Sequence, residues 1–307
     1  MRRTGPGLSI LLLALAPQTR AQAVVEDREM LERTRPEAWA MNYVAAATFM
    51  TAFGNAPALA PRQWRASLEL GRVPELDASQ QQVGFSGTKA EDLNKSPLFG
   101  RVRLWVGLGA GWVAELGVTP PVSINGTRSR DLVAVALGRR VIERETWALS
   151  MRAFGQRGSV LGDITCPAET AGPYDPLRNP YGCRAASQDR IHLNYHGADV
   201  TVSGDRGAWQ WHAGIGAVRT ELEVRVDALT FSIRDRTRLL ARDIVPYAIL
   251  GANHALGKRW GLGFELLYVP LDVRRTADDR PSNDPMCSVR LQLSYRGGWH
   301  AQQESNL

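Results

Sequence analysis

A chain of 307 residues, 44% of them hydrophobic, has room for one large all-β domain or two ordinary ones. Its mean hydropathy of −0.23 excludes a bundle of membrane-spanning helices. The formal net charge of +6 suits an anionic surface such as lipopolysaccharide phosphate better than nucleic acid, or reflects a merely solvated surface.

In chain order, the first element is an export signal over 1–23. Arg2 and Arg3 precede an apolar run over 8–16, and Ala21-Gln22-Ala23 supplies a small-x-small cleavage site before Val24. Residues 24–60 follow as a separate N-terminal segment. E-D-R-E-M-L-E-R-T-R is a charged helical run, and W-A-M-N-Y-V-A-A-A-T-F-M-T-A-F over 39–53 suits either helix or strand. Alanine richness favours helix. So does counting, because an additional strand here would put the mature N-terminus outside the cell. The segment is expected to be a periplasmic helix or a plug entering a barrel lumen.

From residue 61 the pattern changes to period two. Five of the nine tryptophans, Trp64, Trp112, Trp147, Trp209 and Trp260, each open an alternating stretch straight after a connector. Every second residue from each Trp is mostly apolar, as in Trp260/Leu262/Phe264/Leu266/Tyr268; between them stand Arg65, Ser67, Glu69, Glu115, Arg152, His212 and Glu265. Such alternation specifies strands with one apolar and one polar face. Five partner strands are expected over 98–108, 131–141, 190–203, 243–256 and 288–296, making ten. Connectors leading into the Trp strands are short (109–111, 142–146, 204–208, 257–259). Those that follow them are long (74–97, 120–130, 158–189, 219–242, 270–287). Short turns at one end and long loops at the other, with an aromatic girdle at the short end, are the marks of a transmembrane barrel with periplasmic turns.

Together these features resemble Gram-negative outer-membrane β-barrels over about Trp64 to Arg296. Segments such as V-G-F-S-G-T-K-A-E-D-L-N-K-S-P and W-G-L-G-F-E-L-L-Y-V-P-L-D-V look like those of an uncharacterised barrel family. The resemblance implies an all-β, antiparallel up-and-down barrel over 61–297, located in the outer membrane. Lipid, lipopolysaccharide and the barrel-insertion machinery are the implied partners. One departure is the tail over 298–307 beyond Tyr295, since many such barrels end on an aromatic residue.

The polar face collects Arg65, Glu69, Arg101, Arg103, Glu115, Arg152, Glu265, Arg290 and Arg296. In a narrow ten-strand lumen such charges pair across and fill the space. The alternative is a porin-like polar pore whose arginine surplus favours a small anionic solute. His192, His196 and His212 are expected to point inward as polar fillers, a metal or acid–base site being the alternative. Arg234, Arg236, Arg238 and Arg242 fall in the fourth long loop, where they meet lipopolysaccharide or are neutralised by Asp227, Asp235 and Asp243. Cys166 and Cys183 are expected to pair in the oxidising exterior, and Cys287 has no obvious partner. No zinc spacing, nucleophile elbow or phosphate loop occurs, so no cofactor is expected. These features favour a non-enzymatic barrel, structural or a narrow conduit. An outer-membrane hydrolase would have to use the one pair near the long-loop end, Asp189 with His192. A soluble periplasmic β-protein is the remaining structural alternative.

Overall fold

The computed structural model describes residues 23–54, 56–276 and 280–298; residues 1–22 of the 1–23 signal segment and the tail beyond 298 lie outside the described residues. Ten long strands form the wall: β1 (Gln63–Arg72), β2 (Leu98–Gly109), β3 (Trp112–Val118), β4 (Val133–Glu143), β5 (Trp147–Arg157), β6 (Asp189–Arg206), β7 (Trp209–Arg225), β8 (Arg238–Leu256), β9 (Trp260–Val269) and β10 (Met286–Gly298). Each pairs antiparallel with its chain neighbour. β10 pairs back onto β1, with Leu293 opposite Leu68, and closes the barrel. Closure removes both sheet edges, which is the condition for a sheet to cross lipid.

The usual burial pattern is inverted. Leu68, Leu70, Val102, Leu116, Leu137, Met151, Leu262, Phe264 and Leu291 are exposed on the outer face, whereas Arg101, Arg103 and Arg290 are among the largest fully buried side chains. An apolar exterior around a polar interior is the arrangement a bilayer selects, and it rules out the soluble alternative. Trp112, Trp147, Trp209 and Trp260 are exposed at the short-turn ends of their strands. The turns are tight: Ala110 and Gly111 both have positive φ, at 50° and 76°. That is the two-residue hairpin whose twist matches its strands.

The wall is uneven in height. β6, β7 and β8 run for 18, 17 and 19 residues, against 10, 7 and 10 in β1, β3 and β9. A tilted membrane strand needs only ~9–11 residues, so the three long strands stand well clear of the bilayer at the long-loop end. Short strands Thr127–Ser129 and Ser159–Gly162 extend this raised wall on one side. Arg28–Met30 extends it on the other, parallel to β8.

The N-terminal segment explains the extra height. Helix α1 (Pro36–Ala47) lies within the barrel, with eleven of its twelve residues buried. Proline at the first turn starts it and alanine fills its last turn. It is apolar almost all round because it is enclosed all round. Its surroundings are the inner faces of the raised wall, including Ile191, Leu193, Val218, Leu222, Val245 and Ile249. Its start sits at the long-loop end. There Glu37 accepts from the Ser86 backbone N–H at 2.7 Å, and Trp39 Nε1 donates to the Asp284 carbonyl at 3.0 Å. From its C-terminus the chain descends through the lumen and enters β1 at the short-turn end. Gly107 lets it pass, since a Cβ there would lie 2.3 Å from the Ala60 carbonyl oxygen.

Enclosing the helix reverses the inside–outside pattern of the upper β6 strand. Ile191, Leu193 and Tyr195 face inward onto the helix, so His192 and His196 face outward, contrary to the expectation from sequence. Lower on the same strand Asp199, Thr201 and Ser203 are the buried residues. The strand's inner face switches from apolar to polar at the level where the helix ends. β6 also runs on to Arg206, which sets His212 opposite Ser203 rather than near Ala198.

Candidate functional site

The inward charges meet where α1 ends. The last carbonyls of any helix lack partners within it and carry the negative end of its dipole. α1 has no basic residue in its own last turn; the barrel wall supplies them. Arg290 on β10 donates through Nη2 to the Ala46 and Ala47 carbonyls at 3.1 and 3.2 Å, and through Nη1 to Phe49 O at 2.5 Å. Arg101 on β2 and the Tyr195 hydroxyl both donate to Thr48 O, at 2.6 and 2.7 Å. Arg152 on β5 holds the Met50 carbonyl, and Arg103 on β2 holds Thr51 O at 2.8 Å. Six successive carbonyls, from Ala46 to Thr51, are thus gripped by four arginines.

Carboxylates on the wall hold those arginines. Arg103 lies between Glu69 at 3.2 Å and Glu115 at 2.5 Å. Glu115 also takes Arg152 at 3.0 Å, and Arg152 reaches Asp199 at 2.6 Å. Tyr247 donates to Asp199 at 2.7 Å. Glu69 additionally faces Arg290 at 3.4 Å. Isolated, any of these buried ions would be very costly; as a connected network each has a partner. Three carboxylates face four arginines, so charge pairing alone does not satisfy them all. The arginine surplus goes to the plug's carbonyls.

Below this clamp a second contact holds the descending segment. Glu265 accepts from the Phe53 backbone N–H at 3.1 Å and faces His212 Nε2 at 3.2 Å. Asn253 donates to Phe53 O at 3.1 Å, Arg140 to Ala56 O at 2.7 Å, and the Ala56 N–H to Ser150 at 3.1 Å. A void of about 20 Å³ remains beside this stretch, room for about one water molecule.

Of the nine inward charges singled out from sequence, Glu69, Arg101, Arg103, Glu115, Arg152, Glu265 and Arg290 lie buried in this assembly. Arg65 and Arg296 face each other at the short-turn rim, outside the clamp. There Arg65 bonds Ser294 at 2.9 Å and Arg296 is exposed. Tyr195 and Tyr247 are participants that the sequence does not single out, and so are Asp199, Gln156, which accepts from Arg101 at 2.6 Å, and Trp105. Asp199 falls in a stretch read only for its histidines, and Gln156 follows the last apolar residue of its Trp strand. Trp105, whose ring lies 4.8 Å from the Arg103 guanidinium, breaks the apolar-outward rule.

Other expectations separate at the long-loop end. Cys166 and Cys183 are disulfide-bonded, with Cα atoms 5.6 Å apart, and tie the third long loop; Cys287 is free and exposed. Asp189 is buried, accepting from the Thr165 N–H at 2.7 Å and from Ser187 at 2.7 Å. His192 lies three positions along the same strand and therefore on the opposite face, so the two do not form an acid–base pair. Arg234 is neutralised by Asp227 at 2.8 Å and Arg236 pairs with Glu26 at 3.3 Å. Arg238 and Arg242 belong to β8 rather than to a loop. No group of three or more His, Cys, Asp or Glu among the described residues is placed to hold a metal ion.

No family model and no curated protein matches the chain. Its structure is similar to those of solved outer-membrane proteins at low sequence identity. The outer-membrane protease OmpT from Escherichia coli is 9% identical, over 79% of this chain and 98% of that one, with a TM-score of 0.34. The translocator domain of the autotransporter NalP from Neisseria meningitidis is 10% identical, over 79% and 91%, with a TM-score of 0.36. The attachment invasion locus protein Ail of Yersinia pestis is 9% identical, over 78% and 100%, with a TM-score of 0.23. Strand closure and the outward apolar band themselves carry the conclusion that this chain is an outer-membrane β-barrel.

Proposed function

We propose that the protein is a non-enzymatic, self-plugged barrel with a structural role, in which the lumen holds the chain's own N-terminal segment instead of conducting. The grip of four wall arginines on the consecutive carbonyls of residues 46–51 carries this reading. A conduit would leave its arginines facing water; here they are spent on the plug. With the short turns periplasmic, residues 23–35 lie at the cell exterior, and the barrel anchors that segment together with the loops around it. Export through the 1–23 signal and assembly by the insertion machinery belong to the same reading. The separation of Asp189 from His192 onto opposite faces weighs against a hydrolase at the strand tops.

Planar-bilayer recording of the full chain tests this. The intact protein should be silent, and a variant lacking 24–60 should conduct if it still closes. Steady conductance through the intact protein would overturn the proposal in favour of a conduit for small polar or anionic solutes.

A further inference from the structure

The raised wall carries a second arrangement of arginines, on its outer face. Taken strand by strand at one register position, the directly paired residues are Arg128, Leu161, Arg190, Arg225, Arg238 and Arg28. Residues paired directly across strands share a face, so five arginines stand in one row across six strands. At ~4.8 Å between strands the row is about 24 Å long.

A row of like charges placed directly opposite one another destabilises a sheet unless counter-charge is present. The protein provides little of it. Glu223 neutralises Arg225 at 2.9 Å. Of the nearby acids, Asp227 is engaged by Arg234 at 2.8 Å and Asp163 by Lys95 at 3.2 Å, and Asp27 accepts from the Arg28 backbone N–H at 2.7 Å. Arg28, Arg128, Arg190 and Arg238 make no ion pair among the described residues. Beside the row an open groove of about 720 Å³ is lined by Arg130, Arg190 and Arg225.

Position selects the occupant. The row shares its face with the apolar band below it, so it points radially, away from the lumen. Arg225 stands eight residues (225 − 217) beyond Ala217, the last exposed apolar residue of β7's outer face. At ~3.4 Å per residue and a tilt of ~40° this is about 20 Å above the band, level with lipid headgroups that carry sugars rather than with acyl chains. We propose that this row binds the phosphate groups of the sugar headgroup of lipopolysaccharide in the surrounding outer leaflet. Guanidinium groups pair with phosphate oxygens in two-point contacts. The inference rests on the barrel's seat in the membrane, not on whether its lumen conducts.

The test compares the full-length chain with an Arg28→Gln/Arg128→Gln/Arg190→Gln/Arg238→Gln variant, binding to immobilised lipopolysaccharide before and after enzymatic dephosphorylation. Heat-modifiable gel migration checks that the variant has folded. If it has not, the Arg190→Gln/Arg238→Gln pair takes its place, with a smaller loss expected. The wild type should bind the phosphorylated form about tenfold or more tightly than the dephosphorylated one. The variant should bind both at the lower level. Equal binding by wild type and variant overturns the proposal. So does displacement by inorganic phosphate alone at low millimolar concentration, which assigns the row to a free ion. Tighter retention of a soluble sulfated polysaccharide overturns it as well.

Discussion

Replacing Arg290 with methionine separates the plug from the wall that holds it. Its guanidinium serves the Ala46, Ala47 and Phe49 carbonyls and the Thr51 hydroxyl, all on the plug. Its single wall partner, Glu69 at 3.4 Å, keeps Arg103 after the change. The backbone pairing of residue 290 with Glu265 and Gly71 does not depend on the side chain. Methionine preserves most of the volume, so the loss is electrostatic: three buried carbonyls lose a charged donor. Breaking a buried charged contact of this kind costs about 3–5 kcal/mol, falling here on the docking of α1 and not on barrel closure. At ~1.4 kcal/mol per decade, the undocked population should rise on the order of 10²–10³-fold. Hydrogen exchange at the amides of residues 40–51 should accelerate accordingly, and flickering conductance should appear in planar bilayers. The temperature of heat-modifiable migration should stay near that of the wild type. Unchanged exchange at 40–51 would refute the clamp as what holds the plug. A barrel that opens at lower temperature with its plug still protected would refute the separation of plug from wall.

Gly107→Val should destabilise the folded state by roughly 1–3 kcal/mol, because its Cβ would collide with the Leu59 and Ala60 carbonyls; the midpoint of urea unfolding in detergent reads this out. Removing the disulfide with Cys166→Ser/Cys183→Ser takes away the closure of a loop with a sequence separation of 17, worth about 3 kcal/mol in the chain-entropy model. Protease added to intact cells should then cut within 163–189, while the barrel keeps its heat-modifiable migration. Burial pushes the Glu91 carboxyl up to about 7, with Lys89 opposing the shift and Asp189 and Asp235 adding to it. The docked loop then holds a proton that the undocked loop releases from about 4.5 upward. Docking is therefore fully present below that value and weakens as pH rises toward about 7, by about 3 kcal/mol in total. Exchange at residues 82–93 should speed up across that window, and Glu91→Gln should flatten the profile.

The sequence carries part of the candidate site. Seven buried charges of the clamp and of the contact below it follow from period-two alternation in a narrow barrel, since polar residues on the inner face of a ten-strand wall have nowhere else to go. Their partner was not legible. Thr48, Phe49, Met50 and Thr51 contribute backbone carbonyls, which no side-chain pattern announces. The histidines were misplaced for a related reason. The outward-apolar rule holds only where lipid lies outside and water or charge inside, and at the height of Ile191, Leu193 and Tyr195 an apolar helix occupies the inside.

Local chemistry alone determined the number of strands, the tryptophans at their short-turn ends, the inequality of turns and loops, and the Cys166–Cys183 pair. Each depends on residues near one another in the chain or on the oxidising exterior. Tertiary structure decided where α1 sits, which way the upper half of β6 faces, and what the arginines hold. It also lined up Arg128, Arg190, Arg225, Arg238 and Arg28 in one row. Those outcomes depend on strand register and on a segment threaded back through the lumen. Register is a relation between residues tens to hundreds of positions apart, and burial by a plug is set by what fills the space rather than by the pattern of the strand that bounds it.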